Sequence, residues 1–113
     1  MKIIYKEPYK DIKEKEIEVD SNNYSDAIKE IIGGESEHLW LPHKIKLLHN
    51  PDAKLLNLEP NIPVAHDLVL GNVIFIGSDS DENFASLTEI QEAYIRKEYF
   101  ISHSIRSNRP WRK

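Results

Sequence analysis

The 113-residue chain contains no cysteine, which excludes disulfides, thiolate zinc sites and a cysteine nucleophile together. It also lacks a long apolar run. The longest, Leu68 to Ile76, is broken by Gly71 and Asn72 and falls well short of the roughly 20 residues that a membrane helix needs. There are only four glycines, and they form neither a P-loop nor a G-x-G-x-x-G pattern, so no glycine loop is available to cradle phosphates. No serine sits in a G-x-S-x-G elbow, and a triad of Ser78, His66 and Asp67 is disfavoured because sequence neighbours such as His66 and Asp67 rarely point at one another. The five histidines (His38, His43, His49, His66 and His103) show no H-x-x-x-H spacing. Zinc binding by His43, His49 and His66 therefore yields to the reading of surface or loop histidines, and no metal is expected. No catalytic residue and no cofactor emerge, and the chain is read as a non-enzyme. The opening MKIIYKEPYK lacks the apolar core of a secretory signal; with cysteine absent, the expectation is a cytoplasmic protein with no membrane partner.

What is present is one domain's worth of chain, 40% hydrophobic and 30% charged, ordinary for a globular fold with a single modest core. The expected unit is residues 1–113, with a core over about 1–102 and a basic C-terminal arm over about 103–113. Charge is unevenly placed. From Tyr94 onward Arg96, Lys97, Arg106, Arg109, Arg112 and Lys113 oppose only Glu98, a net of +5 out of a total of −4, so the preceding 93 residues carry −9. An acidic body with a basic end points either to a tail that folds back on its own domain or to one that engages an acidic partner.

Periodicity gives the elements. KIIYK (2–6) reads as a strand, and EKEIEV (14–19) alternates as a half-exposed strand; EPYKD between them makes the pair a hairpin. In DSNNYSDAIKEIIGG, Asn23 or Ser21 is positioned to cap a helix. Its apolar face is Tyr24, Ala27, Ile28, Ile31 and Ile32, and Gly33 and Gly34 stop it. Glu37–Leu41 and Lys44–His49 read as strands about Pro42, with Trp40 expected in the core. HNPD is a turn leading to a short strand over 54–58, and EPNIPVAHD, with two prolines, an irregular connection. LVLGNVIFIG (68–77), apolar on both alternating faces, is a buried central strand with Gly71 either a bulge or the true start. A last helix runs from Leu87 towards Ile101. The expected fold class is α+β: a mostly antiparallel sheet of about five strands with two helices packed on one face.

The stretch GSDSDENFASLTEIQE (77–92) holds five acidic residues and tests as a calcium loop. With Asp79 first, Asp81 and Asn83 fit, but the sixth and twelfth positions are Phe84 and Ile90, where an EF-hand needs glycine and a bidentate glutamate. The turn reading accounts for more residues. Asp79 to Asn83 turns the chain, Phe84 returns to the core, and Ser86 with Glu89 forms an S-x-x-E capping box, Thr88 with Gln91 offering a second cap further on.

The same residues resemble the C-terminal signature of an uncharacterised family, domain of unknown function 3846, found in phages, plasmids and other mobile elements. Its members show a strand ending in glycine, an acidic turn, then phenylalanine and S-L-T before a helix, matched here by Gly77, Phe84, Ser86, Leu87 and Thr88, with Glu89 following. The opening MKIIYKEP, the helix end IIGG and the turn HNPDAKLLNLEPN, with Asn50, Leu58, Pro60 and Asn61, extend the resemblance over most of residues 1–92. It implies a small α+β domain and a mobile-element setting, and it supplies no catalytic residue.

The resulting expectation is a non-catalytic binding protein of a phage or mobile element that takes a host protein or small signalling molecule, as a homo-oligomer formed through an exposed strand edge or the C-terminal arm. A nucleic-acid-binding module stands as the alternative. Arg96, Arg106, Arg109 and Arg112, interleaved with Tyr99, Phe100 and Trp111, combine phosphate pairing with base stacking. A nucleotide-processing enzyme is a third reading, requiring a deep pocket with perturbed carboxylates.

Overall fold

The structure, a computed structural model, describes residues 1–65 and 67–99. Along the chain come β1 (Lys2–Lys6), β2 (Lys13–Glu16), α1 (Asp26–Ile32), β3 (Glu37–Leu41), a 3-10 turn at Pro42–Lys44 and β4 (Ile45–His49). There follow β5 (Pro60–Val64), β6 (Asp67–Leu70), β7 (Val73–Ser78), β8 (Phe84–Ala85) and α2 (Glu89–Tyr99). Five strands form an antiparallel sheet in the order β2-β1-β7-β4-β3, and β8 pairs with the end of β7 beyond the reach of β1. The fold is α+β, with an antiparallel sheet and two helices, as the sequence predicts.

The helices do not share a face. All six residues of β7 are buried, and its side chains alternate between two separate clusters. Val73 and Phe75 pack with Ile4, Leu47, Leu87 and Ile95 of α2. Ile74 and Ile76 pack with Ile3, Leu48 and with Ile28 and Ile32 of α1. A central strand apolar on both sides needs cover on both, so one helix goes to each face. Burying each such Ile or Phe contributes about 1.5–3 kcal/mol relative to exposure.

Several local expectations are corrected. LVLGNVIFIG is two strands, because Gly71 at φ 80 turns the chain and a Cβ there would lie 2.7 Å from Leu58 Cδ1. The segment 60–64 is a strand despite its prolines, paired with β6 as a separate two-stranded ribbon with an irregularity between Pro60 and Ile62. A two-stranded ribbon has free edges on which a missing N–H is harmless. Residues 54–57 form turns rather than a strand, Leu56 N–H donating to Asp52 O and Asn57 N–H to Lys54 O. β2 is exposed at all four positions, being an outer strand. Ser25, not Asn23 or Ser21, caps α1, its hydroxyl accepting from Ile28 N–H, while Gly33 closes the helix as predicted.

A node the sequence reading missed ties the ribbon to the sheet. Buried Lys6 donates to Asn61 Oδ1 at 2.7 Å, and Asn61 Nδ2 donates to the carbonyls of Lys6 and Gly71 at 2.8 and 2.7 Å. A buried ammonium is tolerated only with such partners.

Gly77 sits where the chain folds back on itself: a Cβ would lie 2.8 Å from Ala85 O, 3.0 Å from Ser86 O and 3.1 Å from Gln91 Oε1. Gly77→Ala is expected to cost about 1–3 kcal/mol, since overpacking here meets backbone. Urea denaturation measures it, and a loss under about 0.5 kcal/mol, the scatter of neutral surface changes, would refute the close-approach account.

Candidate functional site

The acidic turn is a structural device. Asp79 accepts the N–H groups of Asp81 and Asn83 at 2.8 and 2.9 Å, and its own N–H donates to Asn83 O, so its carboxylate is engaged by the loop's own main chain. Phe84 donates its N–H to Asn23 Oδ1 at 3.0 Å, and Leu87 is buried. The predicted Ser86–Glu89 capping box is not formed, because the Ser86 hydroxyl accepts from Lys2 N–H at 2.8 Å across the sheet. The box lies at Thr88 and Gln91: Gln91 N–H donates to Thr88 Oγ1 at 3.2 Å and Thr88 N–H to Gln91 Oε1 at 2.9 Å, while Glu89 is an exposed acid in the first turn. Gln91 Nε2 also reaches His43 O at 2.8 Å, locking the start of α2 to the turn before β4.

Of the predicted basic contacts, Arg96 is exposed and forms a surface ion pair with Glu14 of β2. Arg106, Arg109, Trp111, Arg112 and the arm over 103–113 lie outside the described residues, as do His66, Phe100 and His103. His43 packs edge-on against Tyr94 and His38 against Trp40. Among the described residues no group of three or more histidines and carboxylates converges as a metal site would require.

Two concavities bear on function. The larger, about 630 Å³, lies between the end of β2 and the start of α1 and is lined by Glu16, Glu18, Asp20 and Asp26 with Tyr24. Met1, Ile17, Val19 and Ala27 share the lining, and the four carboxylates make the concavity unfavourable to phosphate. The smaller, about 380 Å³, opens at the end of the sheet where β1 and β4 finish and β7 begins. Pro8, Ile31, Leu56 and Leu58 supply its apolar lining, with Glu30 and Glu59 at its rim. Its amides are already engaged: Asn50 and Asn72 donate to Ile32 O and Ile31 O, satisfying carbonyls at the end of α1. Asn50 Oδ1 also accepts from Asp52 N–H at 2.8 Å, and Leu58 N–H donates to Ala53 O at 3.0 Å. The loop over 51–58 is thus held in shape while presenting Leu55, 86% exposed, and Leu56, 56% exposed. Beside it Tyr9 donates to Glu59 at 3.2 Å, and that bond holds the phenol above its ordinary pKa.

The third feature is the outer strand β3. Trp40, expected in the core, is 48% exposed, because its register opposite Lys46 puts it on the α1 face beyond the helix's cover. Lys46 is 5% exposed; its ammonium lies 5.1 Å from the Trp40 ring centre and 5.3 Å from that of Phe84 and donates to Glu82 O at 2.6 Å. Cation–π attraction is worth about 0.5–2 kcal/mol, rising as water is excluded, and here it favours the Trp40 ring lying against the buried ammonium.

Fold and surfaces together define a small α+β domain with a helix on each face of one sheet and apolar and aromatic residues displayed at one end and one edge. The chain belongs to the family described as Domain of unknown function (DUF3846), whose model matches residues 1–99. No curated protein and no solved structure matches the chain. Among the described residues no helix is long and apolar enough to cross a membrane.

Lys2 joins β1 to α2 through Glu92 at 2.8 Å. Its hydrogen bond to Glu92 outweighs an opposing desolvation and, with the nearby charges of Glu92, Glu14 and Glu16, raises its pKa above the ordinary 10.5. Because the folded pKa is the higher, the pair's stabilisation is complete below the unfolded value and is lost as pH rises through the folded one. Wild type is expected to exceed Glu92→Gln in stability at pH 8 and to lose that advantage above pH 10.5. A gap that stays constant through alkaline titration would refute the pairing.

Proposed function

We propose that the chain is a non-catalytic protein-binding module of a phage or other mobile element. It acts in the cytoplasm as an assembly of identical copies, and it engages a host protein through the cleft beneath the 51–58 loop. The observation that carries this reading is the pair Leu55 and Leu56, exposed on a loop whose main chain is hydrogen-bonded into shape. Ordered, exposed large apolar residues beside an apolar cleft are the ordinary mark of a contact site. Glu30 and Glu59 at the rim favour a partner segment that joins an apolar anchor to basic neighbours. A host protein is preferred to a small signalling molecule because the cleft's amides are already bonded within the chain, leaving few polar groups to orient a small ligand.

The nucleic-acid reading is supported by the net +5 from Tyr94 onward. Arg96 is shared with Glu14 in a surface ion pair of the kind worth only about 0–1 kcal/mol, so this reading rests chiefly on Arg106, Arg109, Trp111 and Arg112. The nucleotide-enzyme reading is disfavoured by the carboxylate lining of the larger concavity.

A photo-crosslinking amino acid at position 55 is expected to capture a host protein in cells. With that protein purified, Leu55→Ser/Leu56→Ser is expected to weaken binding by about 30-fold or more, the scale of a hot spot of about 2 kcal/mol. Thermal stability should stay near wild type, since both side chains are exposed. An unchanged affinity in the double variant, or turnover of a substrate by the wild-type chain, would remove this reading.

A further inference from the structure

The sheet ends in two outer strands, and their chemistry differs. In β2 the register places Lys13 and Lys15 opposite Tyr5 and Ile3, on the α1 face, and Glu14 and Glu16 opposite Ile4 and Lys2, on the α2 face. Two β2 edges brought together antiparallel about a two-fold axis keep each face on its own side. Lysine would then meet lysine and glutamate meet glutamate, a destabilising arrangement. This edge is guarded against itself.

β3 has no such guard. Its sequence EHLWL contains no lysine or proline, and apart from its ladder to β4 no main-chain hydrogen bond reaches Glu37–Leu41 from the described residues. Its charge is distributed end to end. Glu37 stands at its start, beside a Glu35 already paired with Lys29 at 2.9 Å, and His43 and Lys44 lie just past its finish; among the described residues the exposed side chains of Glu37 and Lys44 have no ionic partner. Antiparallel apposition of two copies brings the acidic end of each to the basic end of the other.

We propose that two copies of this chain pair antiparallel along the outer edge of β3, with Leu39 of each on the two-fold axis. The inference deepens the self-assembly in the function proposed above by naming its surface and register. In that register His38 faces Trp40 of the other copy, Glu37 faces Leu41, and every opposed pair lies on one face of the joined sheet. The exposed Trp40 ring, held over Lys46 at 5.1 Å, then lies beside the two His38 rings. Closure about a two-fold consumes the β3 edge of both copies at once and leaves only the guarded β2 edges, whereas β3 docking on β2 of a next copy would build an open fibre.

Sedimentation velocity is expected to show twice the 13.2 kDa chain mass. Leu39→Lys, which sets two ammonium groups on the axis, should give a folded monomer by circular dichroism. Glu37→Lys should weaken self-association several-fold, since it removes the acidic end that approaches the His43 and Lys44 end of the other copy. The cysteine-free chain permits a register test. Oxidised Leu39→Cys should crosslink between copies, because directly opposed Cα atoms lie about 4.5–5.5 Å apart, within disulfide reach. His38→Cys should not, its twin being diagonal at about 7–8 Å. A monomer at every concentration, a dimer indifferent to Leu39→Lys, or equal crosslinking through His38→Cys would each overturn the proposal. None of these outcomes touches the cleft, which is read separately by the Leu55→Ser/Leu56→Ser binding assay. Loss there with an intact dimer would overturn the host-contact reading alone.

Discussion

The constraint on which the rest depends is that β7 is buried on both sides. A strand with Val73 and Phe75 on one face and Ile74 and Ile76 on the other cannot be satisfied by one layer of cover, so the chain divides its helices. The long excursion between β4 and β7 then becomes the β5–β6 ribbon, which adds Ile62 and Val69 to the α2 side. Gly77 serves the same strand at its far end, admitting the Ala85 and Ser86 carbonyls close enough for β8 to pair and for Gln91 to reach the turn before β4. The acidic loop between β7 and β8 follows from this geometry. It is a reversal stitched by the Asp79 carboxylate, needed because β7 must double back at once to deliver Leu87 to the core.

Much of the fold was legible in the sequence. β1 and β3 match their predicted spans, β4 differs by one residue, and α1 and its glycine stop were readable from period and punctuation. The two-sided cover was also present, since an apolar strand without alternation already says that both faces are enclosed, and the one-face expectation ignored it. Other features were hidden for physical reasons. Pro60 and Pro63 argue against a central strand but not against a ribbon with free edges. Trp40 looked like core because size and hydrophobicity do not reveal which side of an outer strand lies beyond its helix. Ser86 and Thr88 are both reasonable caps, and only the hydrogen bond from Lys2, 84 positions away in sequence, decides between them. The Lys6–Asn61 node was signalled solely by Asn61 falling at a position of the family pattern.

The candidate surfaces were less legible than the fold. The arginines stand out in the sequence as a class, yet Arg96 forms a surface ion pair with Glu14 of β2, and charge composition does not distinguish a tether from a ligand contact. Conversely, Leu55 and Leu56 read as the apolar residues of a strand and prove to be the most conspicuous exposed pair beside the cleft. The difference lies in the turns of residues 51–57, fixed by Asn50 and Asp52 rather than by any periodicity. Lys46, an unremarkable member of an alternating segment, becomes a buried cation only because Trp40 and Phe84 arrive from two other strands.

The strand order has a further consequence for the chain as it is made. β1 lies next to β7, but some 70 positions separate them, so the N-terminal hairpin emerges from the ribosome with the inner edge of β1 unpaired and Ile4 uncovered until nearly the whole domain has followed, although α1 can reach Ile3 earlier. Contacts of such long sequence separation form late and slow the overall folding rate, and exposed apolar strands invite misassociation while they wait. The charges of β2, all outward-facing, are attached to the one hairpin that must endure that interval. The KEKE strand thereby keeps four charges beside β1 throughout that interval, before the native sheet exists.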